Sequence, residues 1–131
     1  MKWLHYINFL LIFLFIVAIC VLEEYKVSSS LELVQTSCYE IEKCVSEEGG
    51  LQNMEVALAL ENLEYNWTKN EASLCFLVNH KSISEIGQEI AKMKYCLSND
   101  DVELFMTGVD LIKLYCKSYM HFMGANLHNL L

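Results

Sequence analysis

Histidine, cysteine and carboxylate side chains are the groups in this 131-residue chain that could move a proton or hold a metal. His80 is the most tempting of the four histidines, as a proton carrier or as a ligand. Its neighbours Asn79 and Lys81 are poor ligands, and His121 and His128 are distant and share no motif with it. Position offers a plainer role. At the expected end of a helix, an imidazole complements the dipole and can bond the last carbonyls. The six cysteines, at 20, 38, 44, 75, 96 and 116, form no C-x-x-C pair. Cys38 and Cys116 fall on apolar helical positions, so burial as small hydrophobes is expected. One disulfide stays open, with its partners unassigned. Glu55, Glu61, Glu64 and Glu71 lie mainly on the polar side of one expected helix. Acid–base catalysis would need two such groups in a pocket with separated pKa values, and a solvated face is the ordinary reading. There is no G-x-S-x-G, P-loop or H-E-x-x-H. No catalytic, cofactor or metal site is expected, and the chain reads as a non-enzyme. An enzyme would require His80→Ala to abolish function without lowering stability.

The elements that would position these groups begin with a membrane segment. Residues 3–22 carry no formally charged side chain, and Phe9–Leu22 is apolar throughout. About 20 residues at a rise of about 1.5 Å span a hydrocarbon core of about 30 Å. Trp3 and Tyr6 suit an interfacial aromatic belt. A cleaved signal peptide would have a shorter apolar region and a small-residue cleavage site. In Val17-Ala18-Ile19-Cys20, Ile19 stands where a lipidation box needs a small residue. The expected reading is a retained anchor over 1–22 and a connector over 23–30. Lys2 and the amino terminus precede the segment, whereas Glu23, Glu24 and Lys26 follow it. The positive-inside rule then puts the N-terminus in the cytoplasm and the domain outside the cell membrane.

The 109 residues after Leu22 suffice for one hydrophobic core. They hold all 17 acidic residues against eight lysines, a formal charge of −9. That balance excludes nucleic acid, which wants a basic face, and a domain lying flat on anionic lipid. The chain has no proline, so long helices are permitted throughout, and no arginine to clamp phosphate bidentately.

Four stripes of 3-4 spacing follow. The first is Leu31, Val34, Cys38, Ile41 and Val45, stopped by Gly49-Gly50. Ser29 with Glu32 could cap a new helix, or the membrane helix could run straight on. The second stripe is Val56, Leu60, Leu63, Trp67, Leu74 and Leu77, with Asn70 in the remaining slot. Its helix is expected from near Asn53 to near His80, about 27 residues or roughly 40 Å. On this stripe Trp67 reads as core rather than as a ligand platform. Ser82-x-x-Glu85 resembles a capping box for a third helix carrying Ile83, Ile86, Ile90, Met93 and Leu97. Asp100-x-x-Glu103 is a similar signal for the fourth.

The fourth helix is apolar on more than one face. Val102, Phe105, Val109, Ile112, Cys116, Tyr119 and Met123 form one stripe, with Met106, Tyr115, Met120 and Phe122 among the residues off it. Either two neighbours bury this helix, or those four residues face a protein partner or a second copy. Gly124 is expected to end the bundle that begins at 31, leaving 125–131 as a short tail. The fold class is therefore all-α: an N-terminal transmembrane helix followed by an antiparallel bundle of three to four helices.

Trp67-Thr68-Lys69, then Phe76-Leu77-Val78-Asn79-His80, then Ile83 and Ile86, form a W-x-K…H-x-x-I-x-x-I core. With the anchor, the acidic helices and the closing Asn129-Leu130-Leu131, it resembles a domain-of-unknown-function family of small membrane-anchored proteins from Gram-positive, often spore-forming, bacteria. The resemblance implies a single-pass anchor and a helical domain, and no activity. Trp67, Lys69, His80, Ile83 and Ile86 are then family-motif residues with structural roles. The expected partners are the lipid bilayer through residues 3–22 and a protein or second copy through the last helix. An envelope interaction or structural module, serving sporulation, fits these features. A membrane-tethered ligand-sensing bundle acting through a partner is the alternative. Small-molecule stabilisation in a thermal-shift screen would favour it.

Overall fold

The computed structural model describes residues 2–77 and 80–128. Four helices account for nearly all of them: α1 (Lys2–Glu48), α2 (Met54–Leu77), α3 (His80–Asn99) and α4 (Val102–His128). Asn79 and the closing Asn129-Leu130-Leu131 lie outside the described residues, as do the side chains of His80, Ser82 and Phe122.

The open choice at Ser28–Ser30 resolves as one continuous helix. α1 runs unbroken for 47 residues, about 70 Å. Residues 23–30 are therefore helix rather than a separate connector, and Val27 and Ser30 are already buried in the bundle. Neither proline nor glycine interrupts this stretch. The Ser30 hydroxyl bonds back to the Lys26 carbonyl at 2.9 Å, within the helix rather than as a cap.

Each bundle helix packs on two neighbours. α1 and α3 both touch α2 and α4, and the diagonal pairs do not meet among the described residues. Cross-helix pairs fix the directions. Lys26 meets Ser73 and Ser37 meets Asn66 across α1–α2, so their residue numbers run oppositely. Glu64 pairs with Lys94, while Trp67 faces Gly87, across α2–α3. The result is an up-down four-helix bundle, the simplest way for four one-sided stripes to share a core. The stripes read from the sequence line that core: Leu31, Ile41, Leu63, Trp67, Ile86, Met93, Phe105 and Ile112 are all buried.

Asn70 occupies a core slot because α1 supplies partners. Its Oδ1 lies 3.3 Å from the Ser30 hydroxyl, and its amide nitrogen donates to the Asn66 carbonyl at 2.8 Å. Asn66 in turn donates to the buried Ser37 hydroxyl at 3.2 Å. A one-turn slip of α1 against α2 would strand these groups in the core, so they set the register.

Gly49 closes α1 with φ +72°, donating its N–H to the Val45 carbonyl at 3.0 Å. Asn53 caps α2, its Oδ1 accepting from the Glu55 N–H at 2.9 Å. At the α3–α4 turn the expectation was one residue off. Asp101, not Asp100, caps α4, its Oδ1 accepting from the Leu104 N–H at 3.1 Å. Asp100 instead has φ +56°, and the Asp101 N–H reaches back to the Cys96 carbonyl at 3.0 Å, the bond that ends α3. A β-carbon is disfavoured at Asp100, so Asp100→Gly should raise stability by about 0.5–1 kcal/mol. A higher urea midpoint at unchanged slope is the readout.

Two further boundaries differ from expectation. Gly124 does not stop α4, which continues to His128; an interior glycine costs only about 1 kcal/mol relative to alanine. His80 opens α3 rather than closing α2. The expected helix-closing contacts of its imidazole fall on a side chain outside the described residues.

Glycine also permits one close approach in the core. A β-carbon at Gly108 would lie 2.8 Å from Met93 Cγ. Gly108→Ala gains up to about 1 kcal/mol of helix propensity against about 1–3 kcal/mol of overpacking. A net loss is expected, read as a lower thermal midpoint.

Candidate functional site

The family-motif residues divide between core and surface. Trp67 is 3% exposed and belongs to the same buried cluster as Ile83 and Ile86. All three therefore line the one core of the bundle. Above the indole an open groove of about 560 Å³ is lined by Thr68, Glu71, Ser84, Gly87 and Lys94, among others. Gly87 leaves room for the ring: a β-carbon there would come within 3.2 Å of Nε1. Lys69 faces away from the core, its ammonium 6.0 Å from the Tyr65 ring centroid. His80 shares the backbone of α3 with the isoleucines.

The carboxylates do not converge. Among the described residues no group of three or more His, Cys, Asp or Glu side chains is placed to hold a metal. Glu55 and Glu61 are exposed, whereas Glu64 pairs with Lys94 at 2.8 Å across α2–α3. Glu71 borders the groove beside Trp67. Glu89 is buried and neutralised by Lys92, one turn along α3.

The most developed polar arrangement is one the sequence reading missed. Lys113 of α4 is largely buried and bonds both Glu42 oxygens of α1 at 3.0 Å and Asp110 at 2.9 Å. Its ammonium lies 5.3 Å from the Tyr39 ring centroid. Burial alone would lower the Lys113 pKa, but hydrogen bonds to Asp110 and Glu42 outweigh it and raise the pKa above its usual value. One turn along each antiparallel helix lie Cys38 and Cys116, both free and without exposed surface. Burial pushes the Cys38 thiol up to about 12, with Cys116 acting in the same direction and Lys113 opposing it. Burial likewise takes Cys116 to about 12. These thiols are protonated at neutral pH and poor nucleophiles. A lysine three residues before Cys116 and a glutamate four after Cys38 give little sequence signal, because the two sets belong to helices far apart in the chain.

Of the four residues expected to face a partner, three are described, and the side chain of Phe122 lies outside the described residues. Met106, Tyr115 and Met120 are half-buried and pack against the core, because α4 is enclosed by α1 and α3. Among the described side chains of α4, the exposed leucines are Leu104 and Leu114. The largest exposed apolar surface is instead the start of α1. Every side chain described before Glu24 is exposed, and this helix is long and apolar enough to cross a membrane.

A family model described as a domain of unknown function (DUF4363) matches residues 22–130. The match begins where the apolar segment ends and covers the whole bundle. No curated protein and no solved structure matches the chain.

Proposed function

We propose that this chain, which belongs to the DUF4363 family, is a single-pass membrane protein whose acidic bundle acts outside the cell as a non-catalytic interaction or structural module of the envelope. The observation that carries this reading is the course of α1. Its first part is apolar, exposed and unpartnered, and the same helix then becomes a wall of the bundle without a break. In water that surface would drive aggregation, whereas a bilayer covers it at the length required. The bundle is held at a fixed distance from the membrane, which suits a module that presents a surface to something else.

The core supports a structural role over a chemical one. The Asn66–Ser37 and Asn70–Ser30 contacts set helix register, and burial keeps the thiols of Cys38 and Cys116 protonated at neutral pH. Crosslinking in intact membranes followed by affinity recovery is the test. A defined partner, or a defined multimer, is expected. The resemblance to proteins of spore-forming bacteria makes sporulating cells the second place to look. Recovery of monomer alone from both growing and sporulating cells would overturn the reading.

A further inference from the structure

We propose that the α2–α3 end of the bundle rests on the bilayer, with Phe76 seated at the headgroup–acyl boundary of the leaflet from which α1 emerges. The inference depends on the membrane-anchored reading above and adds a second, peripheral contact to it. It starts from one side chain. Phe76 is 94% exposed, more than any other large hydrophobic residue described in the chain. It lies in the last turn of α2, where a fully solvated phenyl ring gains nothing from the bundle.

Its height along the bundle follows from the α1–α2 register. Ser30 lies opposite Asn70 and Lys26 opposite Ser73. One more turn in the same antiparallel register brings Phe76 level with Leu22 and Glu23. That is where the apolar run of α1 stops and its first charged side chain appears. Phe76 therefore projects at the depth at which the anchor leaves the hydrocarbon. Tyr25, 74% exposed, stands about one turn above the same boundary on α1. Aromatic side chains at this level are the usual occupants of the membrane interface.

Charge is distributed in the same sense. The two turns at the far end of the bundle hold the acidic runs Glu47-Glu48 and Asp100-Asp101-Val102-Glu103. At the anchor end the only acids on α1 are Glu23 and Glu24, and Lys26 beside them meets the end of α2. A domain with net charge −9 would be repelled if it lay along an anionic surface, but standing on this end it keeps most of its acids away from the headgroups. Lipid is thus the occupant that fits: an interfacial surface at a fixed depth, apolar at Phe76 with the Lys26 ammonium nearby.

The full chain reconstituted in phosphatidylcholine vesicles tests this. Lipids brominated near the top of the acyl chains quench indole fluorescence only at short range. The chain has two tryptophans, Trp3 and Trp67. Trp67 is buried nine residues, or roughly 14 Å, above Phe76 along α2, and serves as the unquenched reference. Comparing the parent chain with Trp3→Phe isolates Trp3. Comparing Trp3→Phe with Trp3→Phe/Phe76→Trp isolates the indole introduced at position 76. Because that side chain is solvated in the bundle, the substitution leaves packing intact, which helicity and the Trp67 emission verify. The expected result is loss of most of the emission introduced by Phe76→Trp, together with loss of the Trp3 emission. Quenching of Trp3 with no quenching of the Phe76→Trp signal overturns the docking and leaves the anchor standing. No quenching at either position overturns the anchor reading and the docking with it.

Discussion

Trp67→Ala is expected to lower the stability of the bundle by about 3–5 kcal/mol, the usual cost of deleting a buried indole. A domain of this size has a total of about 5–15 kcal/mol to lose, so the variant sits at the edge of folding. The reason is position. Trp67 is the largest side chain at the α2–α3 interface, and the backbone of α3 approaches it closely only because residue 87 is glycine. Little can collapse into the space, since Ile83 and Ile86 already fill their own positions. Urea denaturation of the full chain in mild detergent should show a lower midpoint with an unchanged slope. Lys69→Ala, on the outer face of the same helix, should fall within about 0.5 kcal/mol of the parent. The contact also has its own signature. Gly87→Ala should be nearly neutral in the parent, because a helix-propensity gain of up to about 1 kcal/mol offsets the crowding of the indole. In the Trp67→Ala background the crowding is gone and the gain should appear, giving a coupling of about 1 kcal/mol. No coupling would mean that the ring and Gly87 do not touch in solution.

The second large effect is alkaline unfolding. Cys38 and Cys116 are ordinary thiols in the unfolded chain, at about 9.0, and are pushed up to about 12 in the bundle. Above pH 9 the unfolded chain releases these protons while the folded chain keeps them. Stability is therefore fully present below pH 9 and is lost as pH rises toward 12. The slope is about 1.4 kcal/mol per pH unit for each thiol, or about 2.7 for the pair. Lys113 adds to the loss at the upper end, because its raised pKa means that the folded state also holds that proton longer than the unfolded state. Denaturation midpoints measured from pH 8 to 11 should fall steeply beyond 9. The double variant Cys38→Ala/Cys116→Ala should start lower, through lost packing, but decline with a shallower slope. An unchanged slope would show that these thiols are solvated.

The stripes made the helices and most of the core legible in advance, because burial on one side of a helix leaves a period that no other local structure imitates. Val34, Cys38 and Ile41, or Ile83, Ile86 and Ile90, could be placed inside without coordinates. Boundaries were harder where two neighbours compete for one role. Asp100 and Asp101 are the same residue type, and only the left-handed backbone at Asp100 decides which of them caps α4. Gly124 is a stop signal by end preference alone, which the packing of a whole helix overrides. The surplus apolar residues of α4 were ambiguous for another reason. Whether Met106, Tyr115 and Met120 face a neighbour or the outside depends on α1 and α3 enclosing that helix. The ion cluster around Lys113 was invisible because Glu42 lies 71 residues away in the chain.

On the membrane-anchored reading proposed above, the unbroken course of α1 would make bilayer thickness a mechanical variable. From Leu22 to Gly49 the helix rises roughly 40 Å. Transmembrane helices tilt by about 20° on average, and more when the hydrocarbon is thin. A hinge at Ser28–Ser30 would absorb that inclination, but a rigid rod transmits it. The acidic turns at the far end would sweep sideways by about 14 Å for such a tilt. Its lateral reach would then depend partly on the lipid composition around the span, differing between a thick membrane and a thin one without any change in the bundle itself.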